Sequence, residues 1–186
     1  MYKGKIVAFS LSCVDIEAQY FFAASEKIFC KACDSCLDES YIPRNLVISS
    51  KYDIGCTYDG RYIVSSRFKE FCAENYPNNL TFESVTIGND YFLASPMDVL
   101  RFDVLKRKTS FRDLCQACGN YTHITGATPA FLMSQEAPIS HGIYRTDIVF
   151  GSGRSKSALI IVGTETKREI IVNKLTGATF LPAYGS

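Results

Sequence analysis

Four of the eight cysteines fall into two pairs of identical spacing, Cys30/Cys33 and Cys115/Cys118. Their surroundings match as well. Phe29-Cys30-Lys31-Ala32-Cys33-Asp34-Ser35 and Leu114-Cys115-Gln116-Ala117-Cys118-Gly119-Asn120 each run apolar residue, Cys, polar residue, Ala, Cys, turn-forming residue. Two cysteines three apart in a tight turn can aim both sulfurs at one ion. The residue after the second Cys must then take positive φ, which suits Gly119 and is tolerated by Asp34. Backbone N–H groups in such a turn can also donate to the thiolates. Two knuckles supply four thiolates, the closed tetrahedral set of a structural Zn2+ site. The expected ligands are Cys30, Cys33, Cys115 and Cys118. Cys36 follows Cys33 at the same spacing and is the alternative ligand, with Cys33/Cys36 as the rival first pair.

The other cysteines, Cys13, Cys56 and Cys72, have no spacing partner and read as buried thiols. A redox use of a CxxC needs a strand before it and a helix starting at its first Cys; the polar run after Cys33 is not helical in pattern. His123 lies just past Cys118 and reads as a loop residue or, less well, a ligand. His141 sits in a turn-like Ser-His-Gly. No nucleophile elbow and no HExxH pattern is present.

The elements that must position these residues follow from periodicity. Strands are expected at Lys5–Leu11, Leu46–Ser49, Tyr62–Val64, Leu80–Ile87, Tyr91–Ala94, Tyr144–Phe150, Ala158–Val162 and Ala178–Leu181. Tyr52–Tyr58 reads as a loop and Gly151–Ser155 as a turn. Helices are expected at Ser65–Tyr76 and Thr164–Lys174, each after a Ser or Thr cap. Each helix lies between two strands. A duplicated strand-helix-strand unit is one explanation of that echo and chance is the other. The fold class is α+β, with mixed and antiparallel sheets, a few helices and a two-knuckle zinc-ribbon-like unit. Residues 1–45 and 100–125 form the discontinuous knuckle unit and 46–99 with 126–186 the α+β core, or all of these form one integrated domain.

A hydrophobic fraction of 47% over 186 residues is enough for a packed core. Net charge is +1, which provides no strong field for nucleic acid or an anionic membrane. No apolar run reaches the roughly 18 residues of a membrane span. Lys5–Leu11 reads as the first strand of a mature cytoplasmic protein, because Asp15 and Glu17 interrupt any signal-like run. Lys106-Arg107-Lys108 and Arg112 form the densest basic cluster. They support an alternative function, a nucleic-acid-binding regulator using Lys106–Arg112, although the near-neutral whole makes nucleic acid the weaker partner.

The two knuckles, the Val64-Ser-Ser-Arg-Phe-Lys-Glu-Phe71 segment and the following Leu80-Thr-Phe-Glu83 strand together resemble the bacterial double-CxxCG motif proteins. That family looks like immunity proteins of polymorphic toxin and contact-dependent competition systems. The first knuckle departs from the motif, with Asp34 where Gly is expected. The resemblance implies a non-catalytic protein that binds and neutralises a cognate toxin in the cytoplasm, with zinc holding the scaffold. If the toxin is a nuclease, Asp34, Asp38, Glu39 and Asp53 are candidate phosphate mimics; solvated loop acids are the plainer reading of the same residues.

Overall fold

The computed structural model describes residues 4–49 and 51–185. Its elements in chain order are β1 (Ile6–Asp15), β2 (Ile54–Cys56), β3 (Tyr62–Ser65), α1 (Ser66–Asn75), β4 (Leu80–Ser84), β5 (Tyr91–Pro96), β6 (Val99–Leu100), α2 (Val104–Arg107), β7 (Ser110–Leu114), β8 (Tyr121–Thr125), β9 (Ala130–Leu132), β10 (Ile143–Ser152), β11 (Ser157–Val162), α3 (Thr164–Val172) and β12 (Ala178–Gly185). The class is α+β with one large mixed sheet. Its main path runs β4-β5-β3-β2-β1-β11-β10-β8-β7, with β12, β9 and β6 attached at β1, β12 and β10. Pairs β1/β2, β10/β6 and β12/β9 are parallel and the others antiparallel.

The two long helices, α1 and α3, stand where the 3.6-residue pattern puts them. Ser65 caps α1 by accepting from the Phe68 amide, and the helix buries Phe68, Phe71 and Cys72. The second cap differs from expectation. Gly163, not a hydroxyl residue, precedes α3. A Cβ there would meet the Ser140 carbonyl oxygen at 2.4 Å, so only glycine fits. Each helix bridges two strands that flank a third. β3 and β4 both pair antiparallel with β5, and β11 and β12 both pair antiparallel with β1. The echo seen in the sequence is therefore a shared topology: strand, helix, parallel strand, with one strand between. Both helices contribute to the same core, where Phe68, Phe71, Cys72, Ile170 and Leu175 meet Val64, Phe92 and Val162.

Short elements depart from expectation. Leu46–Ser49 is not a strand: Leu46 makes one backbone bond, to Val85, and the segment runs along the edge without a ladder. Tyr52–Tyr58 contains β2, which the sequence hid because its pairing with β1 and β3 is long-range. The tail expected after Leu181 continues as β12, held along nearly all of β1.

Cys13 and Cys56 are not free thiols. The parallel pairing of β1 with β2 sets Asp15 opposite Cys56 and brings the two cysteine Cα atoms to 5.7 Å, and they form a disulfide. The buried Tyr62 hydroxyl lies at the end of the β1–β11 ladder, at the Leu11/Ile160 pair. It donates to the Leu11 carbonyl at 3.1 Å and accepts from the Ile160 amide, and burial raises it to about 12.

Candidate metal centre

Each knuckle is built by its own short-range bonds, and the two sets match. In the first, the Asp34 amide donates to the Cys30 carbonyl at 2.8 Å and the Cys30 amide to the Ser35 carbonyl at 2.9 Å. In the second, Gly119 donates to Cys115 at 2.8 Å and Cys115 to Asn120 at 2.9 Å. The turn residues Asp34 and Gly119 sit at φ 59° and 74°, the left-handed region expected of them. Phe29 and Cys36 form a β-bridge that closes the first knuckle. The second is the tip of the β7–β8 hairpin, whose ladder runs from Ser110/Thr125 to Leu114/Tyr121.

The fold brings the two tips together. Cys30 Sγ lies 3.8 Å from Cys115 Sγ, and Cys33 Sγ lies 3.5 Å from Cys118 Sγ. All four sulfurs fall within 4.8 Å of one another. Such a group can hold one metal ion. Cys36 stands outside it, with its thiol donating to the Asp38 carbonyl at 3.3 Å. Neither histidine belongs to it. His123 is a strand residue of β8, with Nδ1 2.7 Å from Ser152 Oγ and Nε2 3.7 Å from Asp113. His141 Nδ1 faces Glu169 at 3.8 Å.

The sulfurs differ in acidity. The Ser35 hydroxyl and then the Ser35 amide bond to Cys33 and lower its thiol to about 6. The Asn120 amide pulls Cys118 the same way, but desolvation and the three neighbouring sulfurs outweigh it, and that thiol rises to about 11. Thiolates crowded together repel, so without a cation protons stay on sulfur. A metal ion takes the place of those protons.

A ring of charged and polar residues from elsewhere in the chain surrounds the tips, and the sequence offered no signal for it. Arg154, just before β11, forks onto Asp34 at 2.8 and 2.5 Å, reaches Glu26 at 3.7 Å and lies 4.1 Å over the Phe29 ring. Lys156 is buried and donates to Ser35 Oγ and to the Tyr121 carbonyl. Both come from the short helical turn at Gly153–Ser155 and its exit; β10 takes up Gly151 and Ser152, which the sequence assigned to the turn. That turn is docked on the first knuckle, with Gly153 against Asp34.

The four acids singled out in the sequence do not form a free acidic face. Asp34 is taken by Arg154, Glu39 by Arg61 at 3.4 Å, and Asp38 by Ser40. Asp53 is no solvated loop acid. It is 7% exposed, and its carboxylate accepts from Ser65, Arg67 and Thr176. The basic cluster is likewise engaged. Lys106 donates to the Gly185 carbonyl, Arg107 to that of Thr128, and Arg112 to Ser110 Oγ. No helix among the described residues is long and apolar enough to cross a membrane. No protein-family model matches the chain, and no curated protein or solved structure is significantly similar to it.

Proposed function

We propose that the four-cysteine group holds a structural Zn2+ ion, and that the chain is a non-catalytic binding protein that neutralises a cognate bacterial toxin. The observation that carries the metal assignment is the sulfur tetrad. Zn–S bonds near 2.3 Å imply S···S edges of roughly 3.8 Å in a tetrahedron, against 3.8 and 3.5 Å across the two knuckles. Four thiolates complete the shell and leave no position for a substrate or an activated water, so the ion supports structure and not chemistry. Native mass spectrometry of protein expressed in metal-defined medium should give one zinc per chain. A folded, metal-free product would end the assignment.

The toxin-binding reading rests on the resemblance of the knuckles and the Val64–Phe71 segment. A surface feature supports a binding role. Phe22, Val47 and Tyr58 are 85%, 79% and 59% exposed and line one hollow of about 510 Å3. Large apolar side chains grouped at one hollow mark an interaction surface more often than chance exposure does. Co-expression with a secreted toxin encoded beside this gene should restore growth and yield a stable complex; loss of protection in Phe22→Ser would place the contact. The nucleic-acid reading is weaker, because Lys106 and Arg107 are bound to backbone carbonyls. A DNA or RNA affinity that falls steeply with salt would reverse that ranking.

A further inference from the structure

Lys156 is 9% exposed, and its ammonium touches both halves of the metal centre. It donates at 2.9 Å to Ser35 Oγ, and that oxygen lies 3.2 Å from Cys33 Sγ. It donates at 2.6 Å to the carbonyl of Tyr121, the residue after the second knuckle. Because Ser35 Oγ accepts from the ammonium, its own hydrogen is free to point at the Cys33 thiolate. A single hydrogen-bonded line therefore runs from a buried cation to a sulfur.

Both acceptors are neutral. Among the described residues no carboxylate forms an ion pair with Lys156. Its neighbour Arg154 differs in this respect, being matched by Asp34 and Glu26. An ammonium taken out of water without a counter-charge is strongly unfavourable. The negative charge closest at hand along the hydrogen-bonded line is the sulfur group. Four thiolates around a divalent ion keep two net negative charges, and around a trivalent ion one.

We infer that Lys156 is the counter-charge of the four-sulfur centre, and that it makes this a site for a divalent ion in preference to a trivalent one. The inference rests on the metal reading above and deepens it. A cation beside the centre favours the more negative of two states. It therefore tightens Zn2+ and Co2+ against a metal-free centre whose sulfurs keep their protons, and in an iron-loaded form it favours Fe2+ over Fe3+. Lys156 is a positioning and charge-setting residue and is not itself a ligand.

The test compares the full chain with Lys156→Met and Lys156→Gln. Zn2+ affinity is read by competition with a chelator, site geometry by the absorption of the Co2+ form, and charge by the Fe3+/Fe2+ midpoint potential. Iron serves as reporter because it takes both charges in a four-sulfur shell. Loss of the ammonium should weaken Zn2+ at least tenfold while the tetrahedral Co2+ spectrum persists. It should also lower the preference for Fe2+ about tenfold, a fall of about 59 mV. Unchanged affinity and potential in Lys156→Met would overturn the inference and leave the metal site standing. So would a Gln variant equal to the native protein, since the lysine would then be a neutral strut. Failure of the native chain itself to take up Co2+ would instead sink the metal reading. If neither variant gives a tetrahedral Co2+ form, Lys156→Arg decides: recovered binding upholds the counter-charge, and no recovery overturns it.

Discussion

Cys33 and Cys118 face one another at 3.5 Å and yet titrate far apart. In the metal-free protein Cys33 is lowered to about 6 by Ser35, while Cys118, despite the Asn120 amide, is raised to about 11 by desolvation and its crowded sulfurs. Iodoacetamide at pH 7 should therefore modify Cys33 well before Cys118, with the Cys33 rate half-maximal near pH 6, as peptide mapping would show. The sign for stability follows. A thiol acidified by folding contributes fully above its unfolded pKa, near 8.5. That contribution fades as pH falls and is gone below about 6. Equal reactivity of the two thiols would contradict this local electrostatic account. Cys115→Ser should lose the metal and at least ~3 kcal/mol of stability. Cys36→Ser should keep the metal, because Cys36 lies outside the tetrad.

At the scale of elements, two tethers outside the metal centre join segments distant in sequence. The Cys13–Cys56 disulfide clips β1 to β2 across a separation of 43 residues. Its removal in a Cys13→Ala/Cys56→Ala double variant should cost ~2–4 kcal/mol in urea denaturation and leave metal content unchanged. Asp53 ties the start of α1 to the loop before β12, accepting from the Ser65 hydroxyl at 2.9 Å, Arg67 at 3.0 Å and the Thr176 amide at 2.8 Å. Asp53→Ala leaves the Thr176 amide and Ser65 hydroxyl unmatched and should cost about 3 kcal/mol, with little from the half-exposed Arg67, which keeps the Asn173 and Lys174 carbonyls. A loss under 1 kcal/mol would show that water replaces the carboxylate.

Over the whole molecule, the two knuckles approach from opposite parts of the chain. The first grows out of the aromatic cluster of Tyr20, Phe21 and Phe29; the second is carried by β7 and β8, paired onto β10. Helices α1 and α3 pack in a different cluster. Removal of the ion by a chelator should therefore loosen residues 26–40 and 110–125 first. Hydrogen exchange by mass spectrometry should rise there at least tenfold, with α1 and α3 keeping their protection. Uniform loss of protection would mean that the centre and the helix-covered core form one cooperative unit.

Local physics was legible in the sequence. The ligand spacing, the positive-φ turn after each second cysteine, the Ser65 cap and the helical faces of α1 and α3 each depend on bonds between residues a few positions apart, and residue type alone restricts them. Contacts between remote segments left no such mark. β2 is three residues long and exists only because β1 and β3 flank it. The Cys13–Cys56 bond depends on that register, and Lys156 becomes part of the centre only because the exit of a glycine turn docks against both tips. A sulfur pair in one turn is fixed by the geometry of that turn. The meeting of two pairs 85 positions apart is decided by the packing of the sheet between them.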